Sequence, residues 1–169
     1  MADSVDRILS QWASVRPDLD VSAMGVVGRL SRLSRLLERA LNAVFEAHEL
    51  QAGEFDILAT LLRSDAGARG LTAGALAGSA MVTSGAITNR LDRLVVKQLI
   101  SREVDPENRR TIRVALTARG VRVVEAALQD HVRNEESLLA ALSGAQRREL
   151  ETLLRQLLTA HEAPEVTAE

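Results

Sequence analysis

The sequence predicts a mainly α-helical protein that carries one small β-hairpin. Leu, Ala, Arg and Glu dominate, and aromatic residues make up only 2% of the 169 residues, a composition that favours helices over sheets. Three prolines, Pro17, Pro106 and Pro164, leave long tracts where helices can continue without interruption. Between residues 99 and 116 the hydrophobic pattern changes from helical spacing to alternation, which is typical of strands.

The N-terminal part predicts two amphipathic helices. Apolar side chains repeat at helical spacing from Val5 to Trp12 and predict a short helix over residues 4–15, which Pro17 ends. A second helix is predicted from residue 22 to residue 48. At roughly 1.5 Å per residue it is a rod of about 40 Å, too long to be covered by one small domain.

The central part predicts a helix over residues 51–63, a short helix that begins at Thr72, and another from about residue 83 to residue 97. Two short helices joined by a tight turn, with polar side chains on the second, are typical of a helix-turn-helix. Strands are predicted at 99–104 and 111–116, joined by a polar turn. A hairpin directly after the second helix predicts a winged helix-turn-helix.

Two further helices are predicted behind the hairpin: Thr117 is the expected N-cap of the first, and the second begins at about Ser143. The last helix carries leucines in near-heptad spacing, and long apolar helices at the ends of a chain usually pair with a second copy. The predicted organisation is an N-terminal extension helix in residues 1–20, a winged helix-turn-helix domain in residues 51–117, and a helical dimerisation region formed by residues 21–50 and 118–169.

Charge is distributed unevenly along the chain. The formal net charge is −2, but residues 83–119 hold eight Lys and Arg against four Asp and Glu, which gives +4 there and −6 elsewhere. A basic segment on an acidic body is expected of a protein that neutralises DNA phosphates with one face, and a solvated charged face is the alternative.

The composition also excludes several classes of function. The absence of cysteine removes disulfides, thiolate nucleophiles and thiolate metal sites. No catalytic motif, phosphate loop or metal-ligand spacing is present, so we expect no enzyme, no cofactor and no metal. We expect His131 and Glu135 to form a solvated pair.

No apolar run approaches the roughly 18 residues of a membrane span, so we expect a cytoplasmic protein without membrane contact. His48 is either a surface histidine or a pH-sensitive group at a dimer seam.

Candidate DNA contacts follow from a helical wheel of the second short helix. Its apolar side chains face one side, and Asn89 and Arg93 lie on the opposite side. In the major groove of DNA, Asn can hydrogen-bond to adenine and Arg to guanine. Two arginines follow the proline turn at the hairpin tip, where a minor groove would accept a guanidinium; a solvated turn is the alternative. The predicted DNA-binding residues are Ser84, Thr88, Asn89, Arg93, Arg109 and Arg110. Arg90 instead lies on the flank of the apolar face and should point into the domain.

These residues carry a family resemblance that covers about residues 22–160. Residues 105–110 (DPENRR) followed by 114–120 (VALTARG) resemble the wing signature of the MarR (multiple antibiotic resistance regulator) family, and residues 54–58 are similar to its segment ahead of the helix-turn-helix. The resemblance implies a homodimeric winged-helix repressor that binds a pseudo-palindromic site on double-stranded DNA and is released by a small ligand. Gln98 stands where the family usually has Gly, so the recognition helix ends in a less favourable cap.

A narrower resemblance concerns the ligand. The N-terminal helix with its tryptophan, residues 54–61 (EFDILATL) and residues 83–90 (TSGAITNR) are similar to the urate-responsive, PecS-like branch and its relative TamR, which answers to trans-aconitate and related carboxylates. This implies a small anionic effector, urate or a tricarboxylate such as trans-aconitate or citrate. The implied ligand-binding residues are Trp12, Asp56, Arg90 and Arg102.

The ligand-site residues also have structural interpretations. An Asp56–Arg90 contact would hold the recognition helix in place, and an anion would compete for the arginine. The alternatives are a core aromatic for Trp12 and a structural ion pair for Asp56 and Arg90. A second hypothesis for the whole chain is a non-catalytic helical interaction module whose winged helix contacts protein. Binding to DNA is distinguished from it by salt, because phosphate-driven binding must weaken steeply as salt rises.

Overall fold

The computed structural model describes residues 2–64, 70–79 and 84–162, except the side chains of residues 79 and 84–86. The mainly α-helical class with a small sheet is confirmed, and none of the described helices is long and apolar enough to cross a membrane. In chain order the elements are α1 (Ser4–Val15), α2 (Ser22–Ala47), α3 (Ala52–Arg63), β1 (Leu71–Thr72), α4 (Ala73–Ser79), α5 (Ser84–Val96), β2 (Ile100–Val104), β3 (Ile112–Leu116), α6 (Ala118–Leu138) and α7 (Gly144–His161).

Helix α1 lies antiparallel along the N-terminal half of α2. The carboxylate of Asp3 caps α1 and also accepts a hydrogen bond from Arg29 of α2 at 2.8 Å. A Cβ placed on Gly25 would lie 3.2 Å from a methyl group of Leu9, so the two helices approach closely there. Trp12, almost one turn beyond Leu9, therefore lies beside the start of α2.

The main hydrophobic core lies between α3, α4, α5, α6 and the sheet. Leu58, Leu76, Leu94 and Val124 come from the four helices and are fully buried. The sheet is antiparallel in the order β1-β3-β2. Strand β1 was not predicted, because two residues are too few to show an alternating pattern.

The junction between the hairpin and α6 is tightly packed. The hydroxyl of Thr117 accepts the backbone N–H of Gly120 at 2.9 Å, which confirms it as the N-cap of α6, and donates to the carbonyl of Gln98 at 2.8 Å. A Cβ at Gly120 would lie 1.9 Å from the carbonyl oxygen of Leu99, so only glycine fits there. The wing and the last part of the core are thereby fixed to each other.

The middle of α2 and all of α7 leave large apolar side chains in solvent. Leu33 and Leu36 are 47% and 53% exposed, and α7 contains no buried residue. Leu154 of α7 and four leucines of α2 line one groove of about 640 Å³: Leu30, Leu33, Leu37 and Leu41. Apolar helix faces of this size normally pack against another surface.

Candidate DNA interface and effector site

Helix α5 is held on α3 by one buried carboxylate. The side chain of Glu54 is fully buried; its Oε1 accepts from Arg93 Nε at 3.1 Å, and its Oε2 accepts from Lys97 Nζ at 2.7 Å and from the backbone N–H of Gln51 at 3.0 Å. Burial opposes the ionisation of Glu54, but the hydrogen bonds from Lys97, Gln51 and Arg93 outweigh it, so the pKa of Glu54 lies below its usual value. We refer to Gln51, Glu54, Arg93 and Lys97 as the Glu54 cluster.

The Glu54 cluster was not predicted from the sequence. The wheel placed Arg93 on the outer face of α5, and its side chain is indeed 46% exposed, yet two of its nitrogens are used within the protein: Nε by Glu54 and Nη2 by the side-chain oxygen of Gln51 at 3.2 Å. These partners are 39 and 42 residues away along the chain, so the periodicity of α5 alone could not reveal them. Arg93 positions the recognition helix, and its contact with DNA stays a prediction.

The other predicted DNA contacts on α5 divide into two groups. Thr88 and Asn89 are exposed, and Asn89 lies on the side of the helix that the wheel assigned to solvent. The side chain of Ser84 lies outside the described part of the chain. A DNA groove therefore has direct access to at least one amide and one hydroxyl of α5.

The β2–β3 hairpin forms a wing with two arginines at its tip. Arg109 and Arg110 are exposed, and the side-chain oxygen of Asn108 accepts the backbone N–H of Arg110 at 3.1 Å. At the base of the tip Asp105 accepts the backbone N–H of Glu107 at 2.9 Å and is ion-paired with Arg113; these contacts hold the pKa of Asp105 below its usual value. The turn is thus rigid below the tip while the tip cations face solvent.

Arg90 turns towards α3 and away from the outer face of α5. A Cβ placed on Gly53 would lie 2.5 Å from Cζ of Arg90, so the guanidinium packs against bare backbone. Nη1 of Arg90 and Oδ2 of Asp56 are both buried without a hydrogen-bond partner. The expected Asp56–Arg90 contact does not form among the described residues. Buried charged atoms without partners are costly, and they mark a place where a further polar group would bind favourably.

Arg102, the wing residue implied for the ligand, is already in contact with the recognition helix. Its Nη1 lies 2.7 Å from Oδ1 of Asp92, so strand β2 and helix α5 are joined by an ion pair. An anion that took Arg102 would weaken this connection.

Trp12 lies far from the other three ligand-site residues. It is 40% exposed on α1, which packs beside Gly25, whereas α3 packs at the other end of α2 through the stacked rings of Phe45 and Phe55, 4.4 Å apart. The twenty residues from Gly25 to Phe45 span about 30 Å of helix. One copy of the chain therefore does not bring Trp12 to Asp56.

The histidines make structural contacts. His48 Nε2 lies 2.8 Å from Asp130. The ring of His131 packs against both stacked rings, 5.3 Å from Phe45 and 5.2 Å from Phe55, and its Nε2 lies 3.3 Å from Glu135. In the described ranges no three His, Asp or Glu side chains are grouped so as to hold a metal ion.

Comparisons with known proteins agree with this geometry. Residues 50–112 match the model of the MarR family. The transcriptional regulator PecS from Dickeya dadantii is 38% identical over 89% of this chain and 90% of its own length. A MarR mutant from E. coli, solved in complex with operator DNA, has a TM-score of 0.68 and 26% identity and covers 87% of this chain and 97% of its own. AbsC from Streptomyces coelicolor, at 20% identity, shares the fold with a TM-score of 0.74 over 84% of this chain and 95% of its own.

The proteins of the MarR family, like PecS, are transcriptional regulators that act by binding DNA and not by catalysis, which confirms the expectation that the chain is not an enzyme. Together with the exposed polar face of α5 and the cationic wing, they show that the chain belongs to the MarR family of DNA-binding transcriptional regulators.

Proposed function

We propose that the protein is a homodimeric repressor that acts in the cytoplasm and leaves a pseudo-palindromic operator when a small anionic ligand binds. The observation that carries the ligand-controlled part is the pair of unpartnered buried atoms, Arg90 Nη1 and Asp56 Oδ2, directly behind the recognition helix. Arg90 is part of that helix, so a ligand that engages it acts on the element that reads DNA.

The exposed apolar faces support the homodimer. Side chains such as Leu33, Leu36, Leu157 and Leu158 remain in solvent on α2 and α7 of one copy. A second copy would cover them with the same faces, as isologous dimers do. We therefore keep the assignment of residues 21–50 and 118–169 to dimerisation and of residues 51–117 to DNA binding.

On DNA the dimer would place two α5 helices in successive major grooves, about 34 Å apart. Thr88, Asn89 and Ser84 would meet bases or phosphates there. Arg93 would reach a phosphate or a base through Nη1, which makes no hydrogen bond in the described part of the chain, while Nε and Nη2 stay in the Glu54 cluster. The tips of the wings, with Arg109 and Arg110, would enter the adjacent minor grooves.

A small anion would act through arginines that also position the recognition helix. It would pair with Arg90 Nη1, and it would compete with Asp92 for Arg102, whose ion pair at 2.7 Å joins the wing to α5. If the free protein binds the ligand more tightly than the DNA-bound protein does, the ligand must lower the affinity for the operator by the ratio of those two ligand affinities. Urate and the tricarboxylates trans-aconitate and citrate have the required charge.

A gel-shift titration on DNA from upstream of the protein's own gene tests this function. We expect specific binding that millimolar urate or trans-aconitate relieves. Arg90→Gln should keep its fold and lose the response, whereas Arg122→Gln, an exposed arginine on α6, should respond like the wild type. Specific binding that neither compound relieves would refute the proposed effector class.

The alternative interaction module predicts a different result. It requires protein contacts of the winged helix and no specific DNA complex even at low salt. No feature of the described residues favours it over DNA binding.

A further inference from the structure

The Glu54 cluster contains one more positive than negative charge. Glu54 is its one acid and is fully buried, and both Arg93 and Lys97 donate a hydrogen bond to its carboxylate. Arg93 belongs to α5, and Lys97 directly follows the last residue of this helix. The two positions are four residues apart, so both side chains reach α3 from the same face of the recognition helix. One cation is enough to neutralise Glu54, and the charge of the other is left over.

Lys97 is the main counterion of Glu54. Its Nζ lies 2.7 Å from Oε2 of Glu54, whereas Nε of Arg93 lies 3.1 Å from Oε1. Burial raises the pKa of Glu54, and among the groups that lower this pKa Lys97 acts most strongly, ahead of the Gln51 backbone and of Arg93. Arg93 is also the more exposed of the two cations. The charge that is left over therefore belongs to Arg93.

The residue type at position 97 suits this task. Lys97 is the only lysine in a chain with twenty arginines. An ammonium group is compact and has three donors that point in different directions, so it can serve acceptors on two elements at once. Besides Glu54 of α3, Nζ of Lys97 donates to the backbone carbonyl of Glu49, in the link between α2 and α3, at 2.6 Å. Both contacts direct the charge of Lys97 towards the protein.

Arg93 keeps part of its guanidinium outside the cluster. Its Nε and Nη2 donate to Glu54 and Gln51, and its Nη1 makes no hydrogen bond with the described residues. If Lys97 lost its charge, Arg93 would remain as the one cation of the cluster. A buried carboxylate that loses its closest counterion is strongly destabilised. The guanidinium would then turn inward to give Glu54 a second hydrogen bond, and its outer edge would no longer face solvent.

We infer that Lys97 is a positioning residue for DNA binding: by neutralising Glu54 it leaves Arg93 free to bind the operator. This inference rests on the proposed contact between Arg93 and DNA. It gives Lys97 an effect on operator affinity that passes through Glu54 and Arg93 and needs no contact between Lys97 and DNA.

A double-mutant cycle tests the inference. Lys97→Gln keeps a hydrogen-bond donor and removes the charge, Arg93→Ala removes the guanidinium, and a third variant carries both changes. The affinity of each full-length variant is measured for DNA from upstream of the protein's own gene, at a temperature at which circular dichroism shows every variant to be folded. Arg122→Gln removes one exposed positive charge from α6 and is the control for net charge.

The two backgrounds should respond differently to the loss of Arg93. In the wild-type background Arg93→Ala should weaken binding at least about tenfold. In the Lys97→Gln background, where Arg93 is already withdrawn, it should weaken binding less than about threefold. Arg122→Gln alone should stay within about twofold of the wild type. Equal losses in the two backgrounds would overturn the inference and keep Arg93 as a DNA contact. Unchanged affinity of the Arg93→Ala protein would refute the proposed contact, and the inference with it.

Glu54→Gln distinguishes a positioning role of Lys97 from a direct contact with a phosphate. In the Lys97→Gln background this change removes the charge that holds Arg93 inward, so it should raise the affinity at least about threefold. If Lys97 bound a phosphate itself, or only stabilised the fold, the second change would leave the affinity unchanged or lower it further. Either result would overturn the inference.

Discussion

Replacing Glu54 by Gln removes the buried charge that fixes the recognition helix. Glu54 accepts three hydrogen bonds, from Lys97 at 2.7 Å, from Arg93 at 3.1 Å and from the backbone of Gln51 at 3.0 Å. Hydrogen bonds to charged groups contribute roughly 1.5 to 3 kcal/mol each. The side chains of Arg93 and Lys97 are 46% and 33% exposed and regain water in the variant, which lowers the loss. We expect the free energy of unfolding to fall by about 2–3 kcal/mol near neutral pH.

Urea unfolding at fixed protein concentration measures this loss, with Glu125→Gln, an exposed position on α6, as the matched control. The pKa of Glu54 is lower in the folded state than in the unfolded chain, so its stabilisation is present above the unfolded value of about 4.3 and is lost as the pH falls through the folded value. The two unfolding free energies should therefore converge in acid. A loss below about 0.5 kcal/mol at neutral pH, or one that persists unchanged in acid, would refute the role given to this carboxylate.

Three further predictions concern the backbone and the wing. Gln98, at the end of α5, has φ +58°, a backbone conformation that glycine adopts at lower cost than other residues. Gln98→Gly should therefore raise the free energy of unfolding, measured by urea denaturation, by about 1 kcal/mol, and a lower urea midpoint would contradict this. Gly120→Ala should destabilise by about 2 kcal/mol or more, since its Cβ would lie 1.9 Å from a carbonyl oxygen, whereas Gly78→Ala, with no atom within 4 Å, should not; equal thermal midpoints for the two variants would show the packing to be wrong. Arg109→Ala and Arg110→Ala should each reduce the slope of log affinity for operator DNA against log salt by about 1 for each phosphate that the variant no longer neutralises, and unchanged slopes would show that the tip does not bind phosphate.

Local sequence signals predicted the parts of the fold that are governed by periodicity and caps. The helical spacing in α1 and α2 and the Thr117 cap all agree with the structure, because each depends on residues a few positions apart. The alternation at 99–104 and 111–116 likewise predicted the wing. Strand β1 was missed because it has two residues and is defined only by its pairing with β3.

The site was less accessible to sequence reasoning because its contacts are long-range. Arg90 packs on Gly53, one turn before Asp56 in α3, but no local pattern shows that Nη1 of Arg90 and Oδ2 of Asp56 stay without hydrogen-bond partners. The pairing of Arg93 with Glu54 depends on how α5 crosses α3, and the wheel describes α5 alone. The resemblance assigns Trp12 and Asp56 to one ligand site. In the structure, however, α1 with Trp12 and α3 with Asp56 pack at opposite ends of α2.

Sedimentation velocity of fluorescently labelled operator DNA with the purified protein, before and after the addition of urate or trans-aconitate, tests the central claim most directly. The account predicts two chains bound to each operator and, after addition of the effective compound, free dimer and free DNA. One chain per operator, or a complex that neither compound dissociates, would contradict the account of a ligand-released homodimeric repressor.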